Sequence, residues 1–534
     1  MGILSLLIFL PLAGALVLAL GRGMSDGLAK RIALGLTLAI FGISLSLLTQ
    51  LPGFEISANY RFVENLGWMN QWGIRYHLGI DGISLWLILL STLLTPIALL
   101  GSWTSIEERV REFNIFMLVL EAAMIGVFCA LDLFLFYVFW EAMLIPMYFL
   151  IGIFGHGRRI YAAVKFFLYT MAGSALMLVA FLVLYRESGL QTFDLPTLLA
   201  GTHLDPSLQM WLFLAFALAF AIKVPMFPFH TWLPDAHGEA PTAGSVILAS
   251  VMLKMGGYGF LRLAIPLFPV AAVACAPVIG LLAVIGIVYG ALVSLVQPDL
   301  KKLVAYSSVS HLGFVMLGIA ALSPMSVVGA TYQMLNHGIS TGALFLMVGM
   351  LYERRHTRLI SEFGGLKNVM PRFAAVFLLV CLSSIAVPGF NGFIGEFLIL
   401  VGSFSFSPVL VIFSTLGVIL SAAYILWMNQ RVMLGEVTNP KNANLPDLNP
   451  REWLTLLPLV FLSLFMGVFS STFTASIEPP VLKIIQDARI KSFTTAPVIL
   501  PPAAAIEPHG PVREEPKTEE PAPHQPAAVE GAHP

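Results

Sequence analysis

The feature that most constrains this chain is a series of about fourteen apolar runs, each roughly 20 residues long. An α-helix of that length crosses a bilayer core about 30 Å thick, so each run predicts a membrane-spanning helix. The runs are continuous and do not alternate between apolar and polar residues, which excludes an outer-membrane barrel. They lie near 2–20, 31–50, 81–103, 113–130, 133–154, 161–185, 208–230, 241–265, 270–297, 303–322, 326–352, 371–402, 406–429 and 453–473. The sequence therefore predicts an all-α polytopic membrane protein.

The composition agrees with an integral membrane protein. Of the 534 residues, 58% are hydrophobic and only 11% are charged, far from the usage of soluble globular proteins. The first run has neither a basic n-region nor a convincing small-residue cleavage site, so we expect a retained helix and not a signal peptide. Cys129, Cys275 and Cys381 stand alone in apolar runs, which predicts buried thiols and neither disulfides nor a metal or cluster site.

The distribution of Lys and Arg predicts the orientation in the membrane. Of 29 such residues, eighteen lie in loops after odd-numbered runs, and only four, Arg61, Arg75, Arg186 and Arg262, are assigned to loops after even-numbered runs. Cytoplasmic loops carry an excess of positive residues. The odd-numbered loops are therefore expected in the cytoplasm and both termini outside it.

Two lysines remain inside the predicted helices. Lys223 and Lys254 lie about a dozen residues into their runs, too deep to reach the interface easily. An ionised lysine at mid-bilayer costs roughly 2.5–3.5 kcal/mol, so such residues usually face a polar interior and have a function there. Lys165, close to Arg158 and Arg159, fits snorkelling or a structural ion pair instead.

Few carboxylates are available to pair with these lysines. Glu141 in FYVFWEAMLIPMYF lies mid-helix and is the natural partner, and Glu396 follows a glycine-rich break in GFNGFIGEFLIL. Glu121 fits a structural or a functional role equally, and Asp132, at a helix boundary, is expected to be solvated. Two charges about 7 Å apart interact by roughly 2.4 kcal/mol at an effective dielectric near 20. Protonation of one such site can therefore eject a proton from its neighbour.

Histidines supply candidate proton relays. His311 in AYSSVSHLGF and His337 in QMLNHGIS lie in adjacent predicted helices, with Ser307 one turn before His311. One intramembrane histidine can be a satisfied core residue, whereas two beside hydroxyls and amides favour a relay. No third ligand has a spacing that suits a metal. His230 is a further relay candidate, and His237 is expected at the cytoplasmic mouth.

A proline-containing break follows Lys223 and recurs later in the chain. VPMF at 224–227 is matched by VPGF at 387–390, 163 residues and five predicted helices further on. Proline removes a helical hydrogen bond, which a membrane tolerates where the freed carbonyls line a polar cavity. An odd number of helices per repeat inverts the orientation. Helices 4–8 and 9–13 are therefore predicted to be inverted repeats, each with a broken helix, as in many transporters.

These observations divide the chain into five parts. The last part follows from composition, since the segment from Pro497 contains ten prolines and cannot bury enough apolar surface to fold. The predicted parts are three N-terminal helices over 1–112, the first five-helix repeat over 113–265, the inverted second repeat over 270–429, a loop and the fourteenth helix over 430–475, and a disordered Pro-rich tail over 476–534.

Five segments of the sequence, given at the end of this paragraph, resemble a known family. They are similar to the antiporter-like, proton-translocating subunits of respiratory complex I (NADH-quinone oxidoreductase), of the chain 4 type, and run from about residue 75 to 430. Residues after about 475 depart from the family pattern. The segments are AIKVPMFPFHTWLPDAHGEAPTAGSVILASVMLK, LVAYSSVSHLGF, QMLNHG, LYERRHTR and PGFNGFIGEF.

The resemblance implies a site and a function. The function would be proton pumping driven by electron transfer in partner subunits. Glutamate at position 396, where sibling subunits carry lysine, favours the chain 4 type. By the resemblance, Glu141 and Lys223 would be the charged pair that gates proton movement, and Lys254 would be the lysine of the central axis. His311 and His337 would be the connecting histidines, and Glu396 would be the exit residue.

The resemblance also implies partners and a location. NADH, FMN, iron–sulfur clusters and quinone would be bound by partner subunits, with no cofactor or metal on this chain. The sequence itself carries no G-x-G-x-x-G fingerprint and no cluster-binding cysteines. The partners would be the other membrane-arm subunits, including antiporter-like siblings, and the lipid bilayer, but not nucleic acid. The location would be the bacterial inner (plasma) membrane, with both termini periplasmic.

Two other functions remain open at this stage. A subunit of a multi-subunit cation/proton antiporter, or of a membrane-bound hydrogenase, would use the same Lys and Glu residues. A non-conducting membrane scaffold would hold the lysines paired and inert, which two broken helices and deep lysines argue against. The proteins that co-purify in mild detergent distinguish these functions.

Overall fold

The structure, a computed structural model, describes residues 2–21 and 23–495. Thirteen helices in this part of the chain are long and apolar enough to cross a membrane. Pro371–Ser384 and Asn391–Ser403 are shorter, follow each other and together make a fourteenth crossing. The thirteen are Ile3–Leu20, Asp26–Ile56, Gly82–Gly101, Val110–Cys129, Leu133–Phe154, Arg159–Glu187, Pro206–Lys223, Thr242–Leu267, Pro269–Leu295, Leu300–Ala320, Pro324–Arg355, Pro408–Met433 and Pro450–Val468. The predicted all-α membrane fold is confirmed.

Shorter elements connect or extend these crossings. Asp26–Ile56 is one rod of two α-helices joined by a 3₁₀ turn at Ser46–Gln50. Other short α-helices are Leu195–Gly201, Trp232–Glu239 and Leu366–Val369, and other 3₁₀ turns are Asn70–Trp72, Ile360–Glu362 and Pro440–Asn442.

Contacts between loops divide the chain into two faces. On the hairpin face, the backbone N–H of Leu131 donates to His77 O and Gly2 N–H donates to Glu64. On the basic face, the N–H of His156 donates to Glu239 O. The hairpin face comprises 57–81, 130–132, 188–205, 268, 321–323, 404–407 and Ser471–Thr495. The basic face comprises 102–109, 155–158, 240–241, 296–299, 356–370 and 434–449.

A β-hairpin that the sequence analysis did not predict gives the hairpin face its name. Strands Arg61–Met69 and Ile74–Ile80 pair antiparallel, with Glu64 opposite Leu78 and Gly67 opposite Arg75. Gly73 closes the turn at φ +64°, a left-handed conformation that favours glycine. The hairpin is short and only half-buried, so it carries no long apolar run that would reveal it.

The segment Ser471–Thr495 corrects the predicted start of the tail. The sequence analysis assigned 476–534 to a disordered tail, but the chain is helical up to Thr495. The helix buries Ile477, Val481, Ile485 and Ala488, which recur every three or four residues and so share one helical face. This helix lies on the hairpin face, where Trp86 Nε1 donates to its Ser476 hydroxyl at 2.7 Å. The predicted disorder of 496–534 lies outside the described residues.

Three crossings form the centre of the fold. The apolar windows of Thr242–Leu267 and Pro324–Arg355 are buried throughout and that of Leu300–Ala320 nearly so, whereas only a third of the residues in the window of Pro408–Met433 are buried. Glycine permits the close packing at the centre, since a Cβ on Gly338 would lie 2.9 Å from the carbonyl oxygen of Ser250. Polar side chains on these three helices are therefore shielded from lipid.

The structure changes four placements made from the sequence. Asp132, expected to be solvated, is buried and caps the Leu133–Ala142 helix by accepting from Phe134 N and Leu135 N. Arg262 and Lys301, assigned to loops, lie within helices and are buried. Arg262 lies near the end of the apolar run 241–265, whose helix continues to Leu267, and Lys301 belongs to a helix that begins at Leu300, before the run 303–322. Cys129 and Cys381 are buried as expected, but Cys275 is only half-buried.

Candidate functional site, a buried row of Lys, His and Glu

The first helix break begins at Lys223. The helix Pro206–Lys223 ends there, residues 224–231 form turns, and a second helix runs over Trp232–Glu239. The break frees backbone carbonyls, and Trp232 Nε1 donates to one of them, Ile222 O, at 2.9 Å. Lys223 is fully buried, its Nζ has no hydrogen-bond partner among the described residues, and it lies 5.5 Å from the Trp140 ring centroid. A buried ammonium over an aromatic ring gains only part of what it loses by leaving water.

Glu141 lies next to this lysine but does not contact it. Glu141 is half-buried, neighbours Ser174 and Tyr137, and interacts electrostatically with Lys223. No hydrogen bond joins the two, since the lysine Nζ has no partner. Glu141 and Lys223, which the sequence analysis paired, thus interact through electrostatics and not through direct contact. Charge on either side chain still changes the protonation free energy of the other.

Lys254 lies between two irregular segments of the Thr242–Leu267 crossing. π-helical turns occupy Leu248–Met252 and Phe260–Ala264. Such turns are rare in proteins overall, but those that occur are frequently found at functional sites. The first turn leaves the carbonyl of Ala249 free to accept from Lys254 Nζ at 2.5 Å. The same Nζ lies 2.6 Å from His337 Nδ1.

From His337 the row continues to Glu396. The rings of His337 and His311 have centroids 6.0 Å apart, and His311 Nδ1 lies 3.0 Å from Glu396 Oε1. Gln333 Nε2 donates to the same carboxylate oxygen at 3.1 Å, and the Tyr424 hydroxyl lies 3.3 Å from His311 Nε2. The structure therefore brings four of the six predicted site residues, Lys254, His337, His311 and Glu396, into one continuous buried row.

The second helix break lies beside the far end of this row. Residues 385–390 separate Pro371–Ser384 from Asn391–Ser403, the helix that carries Glu396. Ala386 and Gly389 adopt positive φ angles of +58° and +93°. Ser383 Oγ donates to Asn391 Oδ1 at 2.7 Å across the break. Both predicted breaks are thus present, one beside Lys223 and the other beside Glu396.

Other sequence candidates lie outside the row. Glu121 is fully buried, and both of its carboxylate oxygens are unpartnered in the part of the chain that the structure describes. His230 packs between Phe227 and Tyr289. His237 was expected at the cytoplasmic mouth, but it is fully buried and stacked on Phe345. Lys165 forms an ion pair with Asp235 at 2.7 Å. Of the two roles expected for it, snorkelling or a structural ion pair, the structure shows the ion pair.

The sequence analysis missed a buried ion pair near the hairpin face. Arg262 Nη2 lies 2.6 Å from Asp81 Oδ2, and both side chains are almost inaccessible. Arg262 also donates to the hydroxyls of Tyr258 and Tyr60, at 3.3 and 3.2 Å. Arg262 follows Lys254 by eight residues on the same helix, and this spacing is the signal that could have placed it inside the protein.

A second polar cluster joins the loops of the hairpin face. His77 Nδ1 lies 2.5 Å from Asp194 Oδ1, and Asp132 accepts from Arg75 N at 3.1 Å. Burial alone would raise the pKa of Asp194, but hydrogen bonds from His77 and Thr197 lower it below its usual value. Burial raises the pKa of Asp132 to about 6, against backbone hydrogen bonds that lower it. This cluster connects loops and lies apart from the buried row.

Fourteen crossings, two interrupted helices and a shielded row of Lys, His and Glu define the class of antiporter-like membrane subunits. The model of "NADH:quinone oxidoreductase/Mrp antiporter, TM" matches residues 130–421, and that of "NADH-ubiquinone oxidoreductase chain 4, amino terminus" matches residues 34–130. The chain belongs to this family of antiporter-like subunits, in its chain 4 (subunit M) branch.

Individual relatives agree with this assignment. NADH-quinone oxidoreductase subunit M of Rhodobacter capsulatus is 48% identical over 500 residues, which are 91% of this chain and 96% of the relative. NADH-ubiquinone oxidoreductase chain 4 of Marchantia polymorpha is 42% identical, over 91% of this chain and 97% of its own. A chain of respiratory complex I from Thermus thermophilus is 33% identical with a TM-score of 0.83, over 91% of this chain and 99% of that one. A chain of the Mrp complex of a Dietzia species shares the fold, with a TM-score of 0.78 at 19% identity, over 92% of this chain and 99% of that one.

Proposed function

We propose that this chain is a proton-translocating membrane subunit of NADH-quinone oxidoreductase, driven by electron transfer in partner subunits. The observation that carries the proposal is the buried row from Lys254 through His337 and His311 to Glu396, each member in contact or near contact with the next. A proton or a charge moves along such a row in short steps, because each group accepts as its neighbour donates.

The pair of Glu141 and Lys223 acts as the gate at one end. The fully buried lysine has no hydrogen bond, so its protonation depends strongly on the charge of the nearby carboxylate. When Glu141 is ionised and near, the ammonium is stabilised. When the carboxylate moves away or is neutralised, the lysine releases its proton toward Lys254.

The partners, cofactors and location belong to the same proposal. The redox centres, NADH, FMN, iron–sulfur clusters and quinone, lie in partner subunits, and this chain binds no cofactor. Its partners are the other membrane-arm subunits and the surrounding lipid. It resides in a bacterial inner membrane with both termini in the periplasm, as the excess of Lys and Arg on the basic face supports.

The gate is tested by Lys223→Ala and Glu141→Gln in the assembled enzyme. Each is expected to lower NADH-driven quinone reduction and proton uptake by about tenfold or more, as loss of an essential acid–base group does. Electron transfer from NADH to a soluble artificial acceptor stays near normal, because that chemistry lies in partner subunits. Glu141→Asp keeps part of the activity, since the charge remains.

The controls separate a gate from a structural role. Lys367→Ala removes an exposed lysine from the short Leu366–Val369 helix on the basic face and is expected to keep normal turnover. Native gels establish assembly before rates are measured. Near-normal quinone-linked turnover and pumping in assembled Lys223→Ala would refute the gate and favour an inert scaffold. Co-purification with antiporter subunits in place of NADH dehydrogenase partners would refute the assignment to NADH-quinone oxidoreductase.

A further inference from the structure

A crevice opens on the basic face of the protein. Its volume is ≈ 760 Å³, and its lining includes His156, Thr242 and Tyr352. These three residues also line a smaller void of ≈ 20 Å³, which Lys301 borders. A void of this volume and polarity holds one water molecule. The crevice therefore brings water to the immediate neighbourhood of Lys301.

Lys301 is a buried cation that the gate and the row do not use. Its side chain is almost inaccessible, and Nζ donates to Ala240 O at 2.5 Å, beyond the end of the Trp232–Glu239 helix. Lys301 forms no ion pair within the part of the chain that the structure describes. A carbonyl dipole compensates only part of the free energy of burying an ammonium, so this lysine is poised to exchange its proton.

His237 connects this lysine to the row. It is fully buried, and neither ring nitrogen has a hydrogen-bond partner within residues 2–21 and 23–495. It lies within electrostatic range of both Lys301 and Lys254. An imidazole with two unpartnered nitrogens in such a position can accept a proton from one lysine and donate one to the other.

His156 borders both the crevice and the smaller void. Burial lowers the pKa of His156 below its usual value, and the charges of Lys301, Arg358 and Arg159 lower it further. His156 is therefore neutral at pH 7 and adds no positive charge that would repel a proton from Lys301.

We propose that the crevice is a cytoplasmic proton-uptake path that reaches the row through Lys301 and His237, separately from the gate at Lys223. In each transfer the Lys301 ammonium gives a proton to the neutral imidazole of His237, and the Lys301 amine regains one from a hydronium ion in the crevice. The His237 imidazolium then protonates a neutral Lys254. This path rests on the proposed function, since it supplies protons to the same row.

A covalent block of the crevice tests the path in the folded enzyme. Thr242→Cys is made in the assembled enzyme, and inside-out membrane vesicles are treated with a membrane-impermeant trimethylammonium methanethiosulfonate. NADH-driven quinone reduction and proton uptake are measured on the same vesicles before and after labelling. The bulky cation is expected to lower both by about tenfold, because it displaces water and repels protons.

Ser361→Cys serves as the matched control for labelling. Ser361 is exposed on the same face and lines neither the crevice nor the smaller void. Ser361→Cys is expected to be labelled without loss of activity. The enzyme without an introduced cysteine gives the background that comes from its native thiols. Full activity after complete labelling of Thr242→Cys, or failure of the reagent to reach that thiol, would overturn the path.

A pair of adjacent substitutions tests Lys301 itself. Lys301→Gln keeps a hydrogen-bond donor for Ala240 O but cannot carry a proton, and it is expected to lower turnover by about tenfold. Lys302→Gln removes the same charge one residue further on and is expected to stay within about twofold. Equal turnover of the two variants would refute the path. If Lys254→Ala remains damaging in that case, the proposed function stands and only the path fails.

Discussion

The contact between Lys254 and His337 sets the proton arrangement of the row. A protonated lysine has only donors, so at 2.6 Å the His337 Nδ1 must accept. The remaining ring proton is then on Nε2, which has no protein partner. Protonated Lys254 thus leaves His337 with a free donor in the neighbourhood of His311, whose Nδ1 faces Glu396. In the proposed function, a proton that leaves Lys254 reverses these roles and passes the change along the row.

Replacement of Lys254 and replacement of His311 are expected to lower pumping by different amounts, because the two residues have different neighbours. His311→Ala is expected to lower pumping by only about two- to fivefold, because water or the Tyr424 hydroxyl bridges a missing relay. Lys254→Ala is expected to lower pumping by about tenfold or more, since it removes the lysine of the row. Proton uptake and quinone reduction in assembled membranes measure both. Equal and negligible losses would exclude the axial row.

At the scale of the element, the two helix breaks and the π turns have one effect in common. Each frees backbone carbonyls inside the protein, and a polar side chain then satisfies one of them, as Trp232 does for Ile222 and Lys254 for Ala249. Irregular backbone at membrane depth is tolerated only where it is buried in protein or lines a polar cavity. The irregular segments therefore lie next to the ionisable groups of the proposed function.

The ion pair of Arg262 and Asp81 is expected to stabilise the packing of two crossings. Asp81 also caps the Gly82–Gly101 helix by accepting from Ile83 N and Ser84 N. Arg262→Met would leave this buried carboxylate unpaired, at a cost of about 3–5 kcal/mol. We expect a lower thermal transition and less assembled complex on native gels. Arg262→Met with Asp81→Asn should recover much of the loss, and no recovery would contradict the pairing.

Much of the fold and the row could be predicted from the sequence, for reasons that differ by element. Apolar runs of membrane length have few alternatives, so the crossings were placed correctly, and a lysine or histidine deep in such a run stands out. Asp132, Arg262 and Lys301 were misplaced because they lie near the ends of runs, where composition cannot separate a loop from a buried helix terminus. His237 was misplaced because the length of a half-helix beyond a break cannot be read from apolar periodicity.

At the scale of the whole molecule, the two ends of the described chain lie on one face. Gly2 N–H donates to Glu64 on the hairpin face, and the Ser471–Thr495 helix packs there through Trp86. An even number of crossings, here fourteen, places both ends of a chain on the same face. The excess of Lys and Arg lies on the basic face. By the positive-inside rule we propose that the basic face lies in the cytoplasm.

Cysteine labelling of the assembled enzyme tests this orientation. Ser361→Cys on the basic face is expected to react with an impermeant maleimide only in inside-out vesicles, because the proposed orientation places that segment in the cytoplasm. Asn70→Cys in the exposed hairpin turn, and a cysteine placed within 496–534, should react only in right-side-out preparations. Detergent-solubilised samples supply the full extent of labelling for each site. Reaction of Asn70→Cys from the cytoplasmic side would invert the orientation, and it would place the crevice beside Lys301 on the side of proton release.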